Sequence, residues 1–429
     1  MSNKRNLSKP VIAWALYDWA NSAFATTVLA GFFPLFFKQY WSAGLETTQS
    51  TFQLGTGNAV ASLVIVLCAP LLGAIADCGG LRKRFLWLLA ATGIVATAAL
   101  SGVDKGEWQA ALVLFVTATI GFMGANVFYD ALLVAVAKEE DVDMISALGF
   151  ALGYLGGGIL FAINVAMTLA PQTFGLENAA QAVQWSFVTV AIWWAVFSVP
   201  LFLLVKEPPP SRALSGWAVA VAGYRQLFVT FRHIRQLRFV FLFLLAYWFY
   251  IDGVDTIVRM AVDYGLSIGL EHTHLITALL ITQFVGFPAA LAFGHFAHHL
   301  GEGALGARNG IYLAIAVYFA VTVYAFFMDS SLEFYGLAVT IGLVQGGIQA
   351  LSRSLYARMI PSDKSAEFFG FYNMLGKFAA VIGPFLVGVV SIATGSHRWG
   401  ILSVLVLFAI GAWLLSRVDV QAATREIKS

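Results

Sequence analysis

The stretch G-A-I-A-D-C-G-G-L-R-K-R, residues 73–84, joins the end of a long apolar run to a basic cluster. Its spacing returns 221 residues later, and three positions match: Gly73, Asp77 and Gly80 in the first copy, and Gly294, His298 and Gly301 in the second. A repeat at half the length of a largely apolar chain indicates an internally duplicated membrane protein. Such proteins are usually transporters.

The composition argues against a water-soluble fold. The 429-residue chain is 59% hydrophobic and only 11% charged, whereas roughly 25% of an average soluble domain is charged. Apolar stretches of about 20 residues can cross the membrane as helices, and twelve begin near residues 11, 53, 84, 109, 146, 183, 239, 272, 308, 332, 366 and 398. We therefore predict an all-α integral membrane protein with twelve transmembrane helices.

The placement of positive charge predicts the orientation. If successive loops alternate sides and the N-terminus lies inside, only Lys38, Lys105 and Arg398 fall in outer loops. The positive-inside rule then places both termini in the cytoplasm. Residues 1–10 lack the apolar core of a removable signal peptide. We expect a multi-pass protein of the cell membrane, which in a bacterium would be the inner membrane.

A basic segment, residues 206–238, divides the chain between two halves of six spans each, residues 1–205 and 239–429. Its interleaved aromatic and arginine residues predict an amphipathic helix on the inner membrane surface, with a loosely structured linker as the alternative. At a constant offset of 223, two polar residues of the fourth span align with two of the tenth: Asn126 with Gln349, and Asp130 with Arg353. This alignment predicts two pseudo-symmetric six-helix bundles.

These features resemble the major facilitator superfamily over nearly the whole chain. Four residues fit the superfamily's loop signature: Gly73, Asp77, Gly80 and Arg82. Cys78 and Leu81 stand where basic residues are common, which predicts a weakened charge latch in this loop. Asp77 is expected to cap or latch the loop rather than touch substrate.

Two further stretches are more specific: Y-D-W-A-N-S-A-F at residues 17–24 and the segment 349–384. Both resemble bacterial relatives of the fungal vacuolar amino-acid effluxer associated with autophagy. The resemblance implies a major facilitator fold and secondary transport, with aliphatic or aromatic amino acids as cargo. Bacterial members of this branch need not share the fungal substrate.

The first span carries a polar patch, although a charge inside a span costs roughly 2.5–3.5 kcal/mol. Asp18 shares a helical face with Asn21, and Tyr17 lies beside them. We expect this patch to line a central cavity, where Asp18 binds an ammonium group or carries a proton. The alternative is a packing acid that bonds only to neighbouring hydroxyl groups.

The seventh span repeats the pattern with Asp252 and Asp255. Asp252 has no basic residue near it in the sequence, so it is the preferred proton carrier. Asp255 is the second candidate, but it could instead pair with Arg259 four residues on and hold the outer end of the helix.

Stripes of polar residues also mark the fourth, tenth and eleventh spans. If Asn126 and Gln349 face one cavity, Asp130 and Arg353 could meet across the pseudo-axis as a gate that breaks. The alternatives are a permanent ion pair, or an Arg353 that anchors a loop. Asn373 lies one turn before Lys377, which is expected to pair with an acid or with an anionic substrate group.

Together with the resemblance, which implies export, these residues favour proton-linked transport of amino acids or similar small zwitterions by alternating access. The acids would bind the ammonium group, and Arg353 or Lys377 the carboxylate. A carrier of amphipathic drugs, lipids or another small metabolite remains open, as does a membrane protein that binds a ligand without transporting it. No catalytic motif is present, so we expect no enzyme activity. We also expect no cofactor, no metal at His295, His298 and His299, no nucleic-acid partner, and a monomer.

Overall fold

The computed structural model describes residues 8–207, 218–219, 221–225, 237–267 and 269–423. Its main elements are helices that follow one another along the chain. Their bounds are α1 Lys9–Trp41, α2 Thr47–Gly79, α3 Arg82–Ala99, α4 Trp108–Ala131, α5 Val142–Leu169, α6 Ala179–Leu204, α7 Arg238–Ser267, α8 His272–Phe296, α9 Ala304–Phe327, α10 Ser331–Arg358, α11 Ser365–Thr394 and α12 His397–Ser416.

Within the described residues, eleven helices are long and apolar enough to cross a membrane. The remaining one, α11, is a continuous 30-residue helix at the position of the eleventh predicted span. The architecture is therefore consistent with twelve spans. In α1 the first 15 residues are α-helical, whereas Phe24–Phe32 and Phe37–Trp41 form wider π-helical turns that the sequence did not reveal.

Local sequence signals set the helix ends that matter for the site. Ser330 and Glu333 form a capping box that starts α10, in which each side chain bonds the other residue's backbone N–H group. Gly80 ends α2 with φ +62°, a left-handed conformation that favours glycine. This turn leads the chain into α3 after only Gly80 and Leu81, which keeps Asp77 and Arg82 close together.

The helices form an N-terminal bundle (α1–α6) and a C-terminal bundle (α7–α12). Across the interface between them, α2 packs on α11, α5 packs on α8 and α10, and α4 contacts α11. Within the N-terminal bundle, α5 carries three glycines spaced four residues apart, Gly149, Gly153 and Gly157, and this glycine stripe lies against α1. A Cβ atom built on Gly153 would lie 2.6 Å from Ser22 Oγ, and one on Gly157 2.7 Å from Thr26 Oγ1. Small residues thus allow the close helix approach that their four-residue spacing predicts.

The linker between the bundles is described only in part. Residues 218–219 and 221–225 are helical. Val219 lies against Gly79 at the end of α2, because a Cβ atom built on Gly79 would be 2.8 Å from Val219 Cγ1. Much of the predicted amphipathic helix, including Trp217, Phe228 and Arg232, lies outside the described residues.

Candidate substrate site

A cavity of about 200 Å³ lies between the two bundles, where α1, α4 and α5 meet α7, α10 and α11. Both polar and aromatic side chains line it: Asp18, Phe122, Asn126, Tyr129, Asp130, Phe150, Tyr247, Ile251, Asp255, Gln349, Arg353, Tyr372, Asn373 and Gly376. The fold therefore brings seven of the polar residues singled out from the sequence to one place: Asp18, Asn126, Asp130, Asp255, Gln349, Arg353 and Asn373.

Arg353 of the C-terminal bundle extends into the N-terminal bundle. Its Nη1 group donates to Asp130 Oδ1 at 3.0 Å and, over a longer 3.5 Å, to Asp18 Oδ2. Its Nε donates to Ser146 Oγ at 3.0 Å, and its Nη2 donates to the Ser146 carbonyl at 2.9 Å. Every hydrogen-bond acceptor described for this guanidinium therefore belongs to the opposite bundle.

Aromatic rings complete the surroundings of Arg353. The guanidinium carbon lies 4.2 Å from the ring centre of Phe150, 4.9 Å from that of Trp14 and 5.4 Å from that of Tyr129. Such contacts stabilise a cation, particularly where water is excluded, and Arg353 is only 2% exposed. We call the surrounding N-terminal residues the Arg353 cage: Trp14, Asp18, Tyr129, Asp130, Ser146 and Phe150.

Two carboxylates share the one guanidinium in this cage. Asp130 is also held by Asn373 of α11, whose Nδ2 donates to Asp130 Oδ2 at 3.0 Å. Asp18 accepts the Tyr129 hydroxyl at 2.9 Å. With both acids ionised, the cage and Arg353 together carry one excess negative charge. A proton or a cationic substrate group could neutralise it.

Two amide side chains at the cavity are oriented by neighbours. Asn21 Nδ2 donates to Asn126 Oδ1 at 2.6 Å, and the Tyr154 hydroxyl donates to Gln349 Oε1 at 3.1 Å. Asn21 therefore positions a lining residue without being one of the lining residues itself. Tyr17 lies behind the lining as well, with its ring centre 5.0 Å from that of Tyr129.

The structure changes the expectation for Asp252. Its carboxylate accepts the Gly383 backbone N–H at 3.0 and 3.2 Å and the Thr256 hydroxyl at 3.3 Å, and the residue is fully buried between α7 and α11. It is not among the residues that line the cavity, whereas Asp255 is. Successive lining residues on α7 are four apart (Tyr247, Ile251, Asp255), and Asp252 falls off that stripe. Asp252 therefore lies outside this cavity lining and Asp255 within it, and which of the two carries a proton stays a prediction.

The predicted pair between Asp255 and Arg259 is not among the ion pairs formed by the described residues. Arg259 is exposed, and Asp255 faces the cavity. A long arginine side chain near a helix end can extend toward water or lipid headgroups, which separates the two charges. The helix backbone at Lys377 is described, but its side chain lies outside the description.

The loop between α2 and α3 joins the bundles at one face of the protein. Asp77 accepts the backbone N–H groups of Ala366 at 3.2 Å and Glu367 at 2.8 Å, at the start of α11, and pairs with Arg82 at 2.6 Å. Arg82 Nη2 also donates to the carbonyls of Ser362 and Asp363. A carboxylate at a helix N-terminus is favourable for the helix dipole. We call Asp77, Arg82 and residues 362–367 the Asp77 latch.

The Asp77 latch is formed although Cys78 and Leu81 stand where basic residues are common, because Asp77 and Arg82 supply the hydrogen bonds and the ion pair described above. Gly73 permits the close approach of α2 to α11, since a Cβ atom there would collide with the backbone of Ala366 and Glu367. Glu207 accepts the Arg82 backbone N–H, and burial raises the pKa of the Glu207 carboxyl above its ordinary value.

A second contact joins the bundles at the same face. Arg358 at the end of α10 pairs with Asp143 at 2.8 Å and donates to the Glu139 carbonyl, both beside the start of α5. This face, which carries residues 79–82, 136–142 and 358–365, is called the latched face below. At the second copy of the loop motif, Gly294 lies against Ala147 of α5. The His298 side chain lies outside the description.

Sequence reasoning missed several residues that hold the site: Trp14, Asp143, Ser146, Phe150, Tyr154 and Arg358. A signal existed for two of them, because Ser146 and Phe150 are one turn apart and flank Gly149 of the α5 glycine stripe. Trp14 and Tyr154 resemble ordinary membrane aromatics in sequence. Their roles depend on which helix lies opposite, and the sequence does not give that.

Two six-helix bundles around a shared polar cavity define a multi-pass membrane transporter of the major facilitator type. Solved structures share this fold. The human organic anion transporter MFSD10 (TETRAN) has a TM-score of 0.71 at 16% identity and covers 97% of this chain and 100% of its own. The proton:xylose symporter XylE has a TM-score of 0.65 at 12% identity, with 95% and 94% coverage.

Sequence relatives specify the family. Residues 43–428 match the family described as "Vacuole effluxer Atg22 like". The uncharacterised MFS-type transporter YxiO of Bacillus subtilis is 38% identical over 98% of this chain and 97% of its own length. Autophagy-related protein 22 of Yarrowia lipolytica is 27% identical over 66% of this chain and 51% of its own length. The chain belongs to the Atg22-like family of major facilitator transporters, and it is not an enzyme.

Proposed function

We propose that the protein is a secondary active transporter that couples the export of amino acids or similar small zwitterions to proton movement, by alternating access. One observation carries the proposal. Arg353 of the C-terminal bundle is held by Asp18 and Asp130 of the N-terminal bundle at the edge of the cavity that both bundles share.

The Arg353 cage links conformation to charge. Opening the latched face separates the bundles and withdraws Arg353 from acceptors that all belong to the N-terminal bundle. Removing one partner of a buried ion pair costs about 3–5 kcal/mol, because the remaining charge stays buried. A proton or a substrate ammonium group on the carboxylates offsets this cost. Opening is therefore coupled to occupancy of the site.

The same charges favour a zwitterion as cargo. The excess negative charge of the cage suits an ammonium group, and it opposes a purely anionic substrate. The family's description as a vacuole effluxer supports export. Proton linkage is supported by the proton:xylose symporter XylE, which has the same fold. The resemblance of residues 17–24 and 349–384 to amino-acid effluxers supports the cargo class.

The positive-inside rule places the latched face in the cytoplasm, because Arg82, Arg358 and Lys364 lie on it and Lys83 and Arg84 follow Arg82 directly. In this orientation the structure is closed toward the cytoplasm, and both termini are cytoplasmic. The protein then works as a monomer in the cell membrane, since both halves of the site come from one chain.

The test is flux in proteoliposomes. Purified protein is screened for thermal stabilisation by the twenty proteinogenic amino acids, and the best ones are used as radiolabelled substrates with and without a pH gradient. The proposal predicts saturable flux that the gradient drives. Flux that does not change with the pH gradient would contradict proton linkage. Flux of amphipathic drugs or lipids without competition by amino acids would support the carrier alternative, and binding without flux would support the non-transporting one.

A further inference from the structure

We propose that a neutral pair of amides, Asn126 of α4 and Gln349 of α10, binds the carboxylate of the substrate, and that Arg353 does not. This inference rests on the proposed function and assigns the residues that recognise the acid group of an amino acid. It departs from the expectation that Arg353 or Lys377 would do so.

Arg353 has little capacity left for a substrate. A guanidinium has five N–H groups, and four of them are already used by Asp18, Asp130 and the two oxygen atoms of Ser146. Its charge is also balanced by two carboxylates. A substrate carboxylate placed beside it would lie close to both acids and be repelled.

Asn126 faces the cavity as a hydrogen-bond donor. Its Oδ1 atom accepts a hydrogen bond from Asn21 Nδ2 at 2.6 Å. An amide has one oxygen and one NH₂ group, so the remaining function of Asn126 is its NH₂ group. Among the described residues this NH₂ group has no hydrogen-bond acceptor. The side chain lines the cavity, where a ligand could supply one.

Gln349, on the C-terminal bundle, also presents its NH₂ group to the cavity. Its Oε1 atom accepts the Tyr154 hydroxyl at 3.1 Å, which leaves its NH₂ group for the cavity. The Tyr154 ring is fixed by two glycines of the C-terminal bundle: a Cβ atom would lie 3.0 Å from the ring on Gly286 and 2.9 Å from it on Gly346. Tyr154 is thus a positioning residue that holds the Gln349 side chain with its Oε1 atom toward the hydroxyl group.

A third amide has the opposite polarity. Asn373 donates its NH₂ group to Asp130 Oδ2 at 3.0 Å and to the Phe369 carbonyl at 3.1 Å, which leaves its oxygen as the acceptor. One part of the cavity lining therefore offers N–H donors, and another offers oxygen acceptors beside Asp18 and Asp130. An α-amino acid carries a carboxylate and an ammonium group on the same carbon. Its carboxylate therefore suits the part of the lining that offers N–H donors, and its ammonium group suits the part that offers oxygen acceptors.

The amide pair also suits release. Asn126 and Gln349 occupy equivalent positions in the two halves, at the constant offset of 223 residues. A carboxylate held by one amide from each bundle loses one of its two partners when the bundles separate. Neutral donors bind an anion through hydrogen bonds without leaving a buried charge when it departs.

The test measures selectivity between acid and amine in the full-length protein in detergent. The probes are L-leucine with 3-methylbutylamine and L-tyrosine with tyramine, in which each amine lacks only the carboxylate. The variants are Asn126→Asp and Gln349→Glu, which replace a donor by an anion at nearly constant size. The wild type should prefer each amino acid over its amine. Each variant should weaken amino-acid binding at least about tenfold relative to the amine, since hydrogen bonds to a charged group have about this effect.

Tyr154→Phe gives a neutral second test, in case an introduced acid impairs folding. It removes only the hydroxyl that orients Gln349, and it should reduce the preference for the amino acid over the amine. Asn58→Asp makes the same amide-to-acid change on α2 outside the cavity lining, where the side chain bonds its own helix. It should keep the wild-type preference.

The possible outcomes separate the two claims. If the wild type binds amino acids and the variants Asn126→Asp, Gln349→Glu and Tyr154→Phe retain its preference for the amino acid over the amine, the amide assignment is overturned while the proposed function stands. The amide assignment is also overturned, and the proposed function still stands, if the wild type binds the amines as tightly as the amino acids. If none of the four probes binds the wild type and no proteinogenic amino acid stabilises it, the proposed function fails, and the assignment fails with it.

Discussion

Arg353 is the residue on which the account depends most. Replacing it by lysine keeps the charge but not the planar set of donors that contacts Asp130, Asp18 and both oxygen atoms of Ser146. We predict that Arg353→Lys lowers amino-acid flux in proteoliposomes at least about tenfold, because two or more charge-assisted bonds are lost. Arg308→Lys is the control, since Arg308 bonds only the Val418 carbonyl among the described residues. Equal flux in both variants would contradict the prediction.

Replacing Asp18 should abolish proton coupling without abolishing transport. It is the acid with the longer contact to Arg353, 3.5 Å against 3.0 Å for Asp130, so it is the better placed to exchange a proton. We predict that Asp18→Asn still exchanges labelled for unlabelled amino acid but no longer accumulates it when a pH gradient is imposed. Asp329→Asn, on an exposed acid paired with Arg398, should accumulate like the wild type. Gradient-driven accumulation by Asp18→Asn would refute its role.

For single residues, the sequence predicted which residue types belong to the site better than it predicted which way their side chains face. Asp18, Asp130 and Arg353 could be selected because a charge inside a span needs a reason. The sequence could not distinguish Asp252 from Asp255, because which of two acids on one helix faces the cavity depends on how far the helix is rotated. It also could not show that Ser146 and Trp14 hold Arg353.

Among the elements, α5 brings its glycine stripe against the charged cluster. A Cβ atom built on Gly149 would lie 2.8 Å from Asp18 Oδ2, 2.9 Å from the Tyr129 hydroxyl and 3.0 Å from Arg353 Nη2. We predict that Gly149→Ala destabilises the protein by about 1–3 kcal/mol, as overpacking does. Thermal unfolding in detergent measures this. Gly336→Ala on α10 is the control: nothing lies within 4 Å of the added methyl group, so it should be neutral or stabilising. A loss of stability in Gly149→Ala no larger than that in Gly336→Ala would contradict the prediction.

The Asp77 latch ties α2 to the start of α11. Asp77→Asn removes the charge that pairs with Arg82 and favours the α11 N-terminus. We predict that it raises the rate at which a thiol reagent labels the neighbouring Cys78, which is 2% exposed, by about tenfold. The background is Cys68→Ser, and Asp419→Asn, on an exposed acid, is the control. An unchanged labelling rate would mean that the latch does not keep this face closed.

The elements themselves were largely predictable. Spans are long and apolar because the bilayer requires about 20 apolar residues per crossing, and the predicted starts near residues 109, 332 and 366 fall within two residues of α4, α10 and α11. The π-helical half of α1 was not predictable, since wide turns depend on packing against neighbouring helices. The persistence of the latch without basic residues at Cys78 and Leu81 also required coordinates.

At the scale of the whole molecule, the two bundles touch along α2 and α11 and along α5, α8 and α10, with the cavity between them. The internal repeat predicted the two bundles, because a duplicated unit forms a second equivalent bundle. Alternating access requires that opening one face closes the other. The Arg353 cage and the two contacts of the latched face oppose the opening of that face. Removing Arg353 should therefore shift the conformational equilibrium toward the state in which the latched face is open.

The most direct test is a pair of distances measured by spin labels on the full-length protein, with Cys68 and Cys78 replaced by serine. One pair, at Arg84 and Ser362, spans the latched face, and the other, at Glu177 and Glu271, spans the opposite face. We predict that Arg353→Gln lengthens the first distance and shortens the second, relative to the same labelled protein with Arg353 intact. Two unchanged distances, or two that lengthen together, would contradict it.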